Sequence, residues 1–160
     1  MAKFFKKILC PVDFDENSMA ALDYACRLAA ENDAALYVLH AIFIPVTSPS
    51  LPLEQYPPVT EGPARMQLEN VARDHLYGKV RYEILARSGK PADVVIKAAE
   101  DVDADLIVMA THGRTGITRL FLGSVAEQVV RESKRPVLTI RPSAAARSGQ
   151  QQEKLVQGAT

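Results

Sequence analysis

Short apolar runs of strand length alternate with segments of helical period along most of this 160-residue chain. The first run, residues 7–12, precedes residues 16–31, whose apolar side chains recur three and four positions apart as one helix face requires. The alternation continues to residue 140. Strand, helix and strand in succession form right-handed crossovers between parallel strands, with helices on both faces of the sheet. The pattern therefore predicts an α/β fold, a three-layer sandwich around a parallel sheet.

Five strands and four helices are predicted. The strands cover residues 7–12, 36–43, 80–86, 106–110 and 136–140, and the helices cover residues 16–31, 64–77, 90–100 and 124–133. Asp15 is the predicted N-cap of the first helix, because its short carboxylate can accept from a first-turn amide. Pro91 is expected in the first turn of the third helix, where its missing N–H costs nothing.

The hydropathy of each strand indicates its place in the sheet. The first and fourth strands are continuously apolar, as strands buried on both faces are. The third alternates polar and apolar residues and the fifth opens with Pro136, which is typical of edge strands. The order 3-2-1-4-5 satisfies both observations. Ligands bind such sheets at the carboxyl ends of the strands that flank the switch point, so we expect Asp13 and the segment after Ala110 to line a crevice there.

Composition and charge argue against several classes of protein. Hydrophobic residues make up 48% and charged residues 24%, which is typical of a globular chain rather than a disordered one. Nineteen basic residues balance 19 acidic ones, which argues against bulk nucleic-acid binding or electrostatic attachment to a membrane. The apolar runs are much shorter than the ~20 residues of a bilayer span. Cys10 and Cys26 lie in apolar segments, so we expect reduced, buried thiols and a cytoplasmic location.

One domain is predicted, over residues 1–142. Residues 143–160 are small and polar, and we expect a disordered C-terminal tail there. Residues 44–63 hold six of the ten prolines and are predicted to form a long surface loop rather than a second domain.

The segment from Ala110 to Val125 follows a buried strand, leads into the last predicted helix and holds Gly113, Gly116 and Gly123. Glycines at such a place let backbone amides approach an anion closely. Ser124 and Glu127 have the spacing of a capping box, so Ser124 is expected to begin the helix and present its positive end. These features are typical of a phosphate site, with a well-capped surface turn as the alternative. Neither the dinucleotide fingerprint nor the Walker pattern is present.

Over about residues 3–142 the chain resembles the universal stress protein family. The resemblance rests on KILCPVDF (7–14), the strand end at His40, ADLIVMATHGRTG (104–116), LGSVAE (122–127) and PVL (136–138). It implies a Rossmann-like fold of the adenine nucleotide alpha hydrolase type, with the same five-stranded sheet, and a homodimer.

One branch of that family binds ATP through Gly, two residues, Gly, nine residues, and Gly followed by Ser or Thr. Gly113 and Gly123–Ser124 match this pattern, and Ala110 stands at its first position. The resemblance therefore implies ATP as the ligand, with any Mg²⁺ held by its phosphates. The family's other branch binds no nucleotide, and Ala110 is the argument for that alternative.

The resemblance also implies which residues would contact ATP. Pro11, Val12, Asp13 and Ala41 would lie beside the adenosine, Met109 and Ala110 would flank the ribose and base, and the phosphates would be wrapped by Gly113, Arg114, Gly123, Ser124 and Val125. The residues themselves indicate only Asp13 and the glycine loop. For Asp13 the alternative role is to cap the loop that follows the first strand.

The predicted fifth strand is apolar and lies at a sheet edge, where unpaired backbone groups invite another strand. We therefore predict a two-fold homodimer in which this strand meets its copy, through Val137, Leu138, Thr139 and Ile140.

The sequence thus predicts a dimeric ATP-binding protein of the stress response that acts as a regulatory or interaction module. The phosphate loop has no evident catalytic base and no P-loop lysine, so we expect slow ATP hydrolysis at most, with a true ATPase or phosphotransfer enzyme as the rival. The chain has no nucleophile elbow. His40, His75 and His112 lack partners at ligand spacing, so no structural metal site is predicted.

Overall fold

The structure is a computed structural model of the chain and describes residues 3–43, 61–111 and 123–141. Nine elements follow one another in these ranges: β1 (Lys7–Pro11), α1 (Glu16–Asn32), β2 (Ala35–Ile42), α2 (Gly62–Leu76), β3 (Arg81–Ser88), α3 (Pro91–Asp101), β4 (Leu106–Ala110), α4 (Ser124–Glu132) and β5 (Val137–Ile140). They correspond one to one with the predicted elements. The predicted tail and most of the proline-rich loop lie outside the described residues.

The five strands form one parallel sheet in the order β3-β2-β1-β4-β5, which confirms the predicted order. β1 lies at the centre and pairs with β2 on one side and β4 on the other. The connections that leave β1 and β4 therefore run to opposite faces of the sheet. The switch point of the sheet lies between the carboxyl ends of these two strands, the usual position of a ligand crevice in such sheets.

The core has two layers, one on each face of the sheet. Ile8 and Cys10 of β1 pack with α1 and α2, whereas Leu9 between them packs with α3 and α4. Because both faces of β1 are covered, its sequence after Lys7 is continuously apolar. Cys10 and Cys26 are free and buried, and burial is the main cause that raises the pKa of both thiols. No helix in the described ranges has the length and apolar content that a bilayer crossing requires.

The helix ends test the predicted caps. Asp15 is the N-cap of α1, and its carboxylate accepts from the Ser18 amide at 2.7 Å, as predicted. Pro91 is the first residue of α3, also as predicted.

α4 begins at Ser124, as predicted, but the predicted capping box is wrong. Gly123 is the N-cap, no side chain caps it, and Ser124 is already the first helical residue. The reason is a pair of backbone hydrogen bonds at Gly123. Its N–H donates to the Thr111 carbonyl, and its own carbonyl accepts from the Glu127 amide at 2.8 Å. The first helical hydrogen bond thus begins at Gly123, one residue before the hydroxyl.

Candidate functional site

The predicted contact residues that the structure describes lie at the end of the sheet where the strands have their carboxyl ends. They come from the carboxyl ends of three adjacent strands and from the start of α4: Pro11, Val12 and Asp13 after β1, Ala41 in β2, Met109 and Ala110 in β4, and Gly123, Ser124 and Val125. Parallel strands have their carboxyl ends at the same end of the sheet, so the fold brings these segments together. Gly113 and Arg114 lie outside the described residues, and their predicted contacts stay predictions.

The turn between β1 and α1 is held by short polar side chains. The Asp13 amide donates to the Ser18 hydroxyl at 3.2 Å, and the Asp13 carboxylate accepts from the Asp15 amide at 3.1 Å. Ser18 is buried, and its hydroxyl also donates to the Asp15 carbonyl at 3.1 Å. Asp13 therefore caps the loop that follows the first strand, the role considered as the alternative. Contact between Asp13 and a nucleotide stays a prediction.

The same turn concentrates negative charge. Partial burial is the largest cause that raises the pKa of the Asp15 carboxyl, and the hydrogen bond and charge of Asp13 raise it further. The amide and hydroxyl of Ser18 work in the opposite direction by stabilising the carboxylate. The β1 end of the crevice is thus acidic and disfavours a further anion.

Two aromatic rings stand beside this turn. The His40 ring at the end of β2 places its Nδ1 atom 2.8 Å from the Val12 carbonyl oxygen. The Phe14 ring lies 4.5 Å from the His40 ring, centroid to centroid, with a tilt of 36°. Phe14 itself adopts a left-handed backbone with φ of 66°.

Sequence reasoning missed Phe14 and Ser18 as parts of the site, and it weighed His40 only as a metal ligand and a family marker. The signal that could have found Ser18 is its position three residues after a predicted N-cap aspartate, within reach of the turn. Nothing local marks Phe14, because its left-handed backbone depends on its neighbours in space. In the described ranges, no group of three or more His, Cys, Asp or Glu side chains could hold a metal ion.

The end of β4 is extended. Met109 is buried, and Ala110 is the last strand residue, paired with Ile140 of β5. Three non-glycine residues in the described part of the chain have positive φ, and Ala110 is not among them. After Ala110, the Thr111 amide donates to the Ile140 carbonyl at 3.0 Å. With the hydrogen bond between Thr111 and Gly123, this contact places the start of α4 beside the end of β4.

The start of α4 offers backbone donors. The amides of Ser124, Val125 and Ala126 belong to the first turn, where an α-helix supplies no acceptor for them. The aligned peptide dipoles add positive potential at the same end. Because the Gly123 amide is engaged by Thr111, the donors that face outward from this end are those of the first turn.

A cleft of about 600 Å³ lies beside β3 on the side of the sheet that α3 and α4 cover, and its lining includes Arg87, which pairs with Ala41 of β2. It is lined by residues 87–90 at the end of β3, by the outward face of α3 and by Glu132 of α4. None of the predicted contact residues lines it. Its charges are already paired in part, since Asp101 accepts from both Arg87 and Lys97 at 2.6 Å.

The chain is similar to known proteins over most of its length. A family model described as the universal stress protein family matches residues 4–141. Universal stress protein MJ0531 of Methanocaldococcus jannaschii is 35% identical over 145 residues, which cover 86% of this chain and 82% of that protein. The solved structure of MJ0577, from the same organism, has a TM-score of 0.70 at 27% identity and covers 88% of this chain and 99% of its own. A solved universal stress protein in complex with cAMP has a TM-score of 0.63 at 26% identity, with 87% of this chain and 98% of its own covered.

Proposed function

Because the chain belongs to the universal stress protein family, we propose that it binds an adenine nucleotide, ATP, in the crevice between β1 and β4. The observation that carries this proposal is the solved family member of the same fold in complex with cAMP. The crevice of this chain supplies the chemistry that such a ligand needs, with strand ends on one side and helix amides on the other.

The two ends of the crevice differ in charge, and this difference supports one orientation of the nucleotide. Asp13 and Asp15 make the β1 end acidic, whereas the first turn of α4 offers amides and a positive dipole. Phosphates carry the negative charge of ATP, and the adenosine is neutral. We therefore propose that the phosphates lie at Ser124 and Val125, and that the adenosine lies beside Val12 and Ala41.

We propose that the site accepts alanine at position 110 in place of the first glycine of the family's ATP pattern. A residue with extended backbone and negative φ can be alanine or glycine without strain, so the added methyl group changes only the space in front of the strand end. This supports the nucleotide-binding branch of the family over the branch that binds none. Mg²⁺, where present, would be held by the phosphates of ATP and would neutralise part of their charge.

We propose binding and regulation rather than rapid catalysis. In the orientation above, the carboxylates of Asp13 and Asp15 lie at the adenosine end, away from the γ-phosphate. Neither carboxylate can then orient a water molecule for attack on that phosphate, the task that a hydrolysing site must perform. ATP turnover should be slow, and rapid turnover would favour the rival proposal of an ATPase or phosphotransfer enzyme.

Calorimetric titration with ATP tests the binding proposal, together with mass spectrometry of any ligand released when the purified protein is denatured. Saturable ATP binding, or an adenine nucleotide released from the protein, is the expected result. No binding at millimolar ATP and no released nucleotide would place the chain in the other branch.

We further propose a cytoplasmic homodimer that forms through β5. The Pro136 carbonyl accepts from the Ile107 amide of β4, and the Ile140 carbonyl accepts from the Thr111 amide just after β4. By the alternation along a strand, the backbone groups of Val137 and Thr139 therefore point away from the sheet. A second chain can pair with them along this edge.

Proline substitutions at the two edges of the sheet test the dimer. Thr139→Pro removes an outward N–H from β5 and leaves the hydrogen bonds to β4 in place. Tyr82→Pro is the matched control, because its N–H points outward from β3 at the opposite edge by the same alternation. Light scattering should find dimers for the wild type and Tyr82→Pro and monomers for Thr139→Pro. A monomeric wild type at tens of micromolar would refute the proposal.

A further inference from the structure

Val12 is held through both of its backbone groups. Its N–H donates to the Leu39 carbonyl at 2.8 Å, which extends the pairing of β1 with β2 by one residue. Its carbonyl oxygen lies 2.8 Å from Nδ1 of His40. A carbonyl only accepts hydrogen bonds, so the proton of this contact is on Nδ1. In the neutral ring, Nε2 then carries no proton.

His40 also supports the residue on the other side of Asp13. Its ring lies against the Phe14 ring, and Phe14 has a left-handed backbone that bulky residues rarely adopt. Such a backbone persists only where the surrounding structure holds it. The side chain of His40 thus contacts the residue before Asp13 and the residue after it.

Resting on the nucleotide binding proposed above, we propose that His40 is a positioning residue for the adenosine end of the site. As the Nδ1–H tautomer it anchors the Val12 carbonyl, and its ring holds Phe14 in the left-handed region. The turn between β1 and α1 therefore keeps one arrangement, in which Val12 and Asp13 reach the crevice. His40 acts through this turn and makes no contact with the phosphates.

A matched pair of variants isolates the Nδ1–H donor. In His40→Asn the side-chain amide nitrogen can occupy the position of Nδ1, whereas in His40→Gln it lies one methylene further along. We expect ATP to bind at least about tenfold more weakly to His40→Gln than to His40→Asn. Equal affinities of the two variants would overturn the proposal.

The choice of ligand distinguishes positioning from a general loss of structure. Adenosine binding should fall in His40→Gln in parallel with ATP binding, while binding of inorganic triphosphate stays at the wild-type level, because the start of α4 is untouched. An equal loss for all three ligands would contradict the proposal. His75→Asn is the control variant, since His75 makes a similar Nδ1 contact, to Asp23 at 2.9 Å, between α1 and α2 and away from the crevice. Its ATP affinity should match that of the wild type.

NMR spectra of the ligand-free, ¹⁵N-labelled protein separate this inference from the proposed function. The His40 imidazole should show a proton on Nδ1 and none on Nε2, and the opposite tautomer would overturn the inference whether or not ATP binds. If the wild type binds no nucleotide, the proposed function fails. The variants then decide the positioning role through the Asp13 and Asp15 amide signals. Both variants lose the ring contact with Phe14, so both should shift these signals, and the shift should be larger in His40→Gln, which also loses the donor at the Nδ1 position. Equal movement in both variants would refute that role.

Discussion

Replacement of Ala110 by glycine separates two reasons why the ATP pattern of this family begins with a glycine. A glycine is required where φ is positive, or where a ligand must approach the backbone closely. Ala110 is the half-buried last residue of β4, paired with Ile140, and its φ is not positive. The structure therefore favours the second reason for this chain.

The expected magnitudes follow from that geometry. Had the position required positive φ, alanine would strain it by roughly 1–2 kcal/mol, which Ala110→Gly would recover. In an extended strand, glycine instead lowers the free energy of unfolding by roughly 0.5–1 kcal/mol, because it loses more backbone entropy on folding. We expect that small destabilisation, together with a change in ATP affinity of less than about tenfold, or 1.4 kcal/mol.

Urea denaturation and calorimetric ATP titration measure the two quantities. Ala35→Gly is the control, because Ala35 is the first residue of β2 and lies at the amino ends of the strands, away from the crevice. Its cost in stability should be similar, and its ATP affinity should equal that of the wild type. The reasoning is refuted if the wild type fails to bind millimolar ATP and Ala110→Gly restores micromolar affinity.

Three further predictions concern other described residues. Gly123→Val should keep the fold, because Gly123 has φ of −59° and ψ of 149°, which any residue adopts. ATP should bind at least about tenfold more weakly beside the new side chain. Unchanged affinity with native circular dichroism would reject the phosphate assignment. The pKa of Asp15 is raised in the folded state, so this carboxyl stabilises the fold when the pH is below its ordinary pKa of 3.8. That contribution is lost as the pH rises through the raised pKa. Relative to Asp15→Asn, which keeps a cap acceptor, the wild type should therefore lose stability in denaturant titrations over that range, and a constant difference would contradict this. Cys10 and Cys26 should react slowly with a disulfide reagent at pH 8 in the native state and rapidly in denaturant, because both thiols are buried with raised pKa values; fast native labelling would disprove their burial.

Local patterns in the sequence were sufficient for the elements and for the sheet order. Residues 8–11 and 106–110 are continuously apolar because each strand is covered on both faces, and this places them at the centre. Asp15 caps α1 through an amide only three residues away, and Pro91 starts α3 through its own fixed φ. Each of these features depends on neighbours close in sequence or on burial, which hydropathy records.

The interior of the site depended on contacts that no local pattern carries. Gly123 rather than Ser124 caps α4 because a carbonyl at the end of β4 takes the Gly123 amide. His40 reaches the Val12 carbonyl across 28 residues of sequence, and only the register of β1 against β2 brings the two together. The sequence by itself therefore determined which strands flank the crevice, since periodicity and burial are properties of each segment alone. The tertiary structure decided which atoms of His40, Asp13 and Gly123 are engaged, because a hydrogen bond between distant segments exists only once the sheet has set their register.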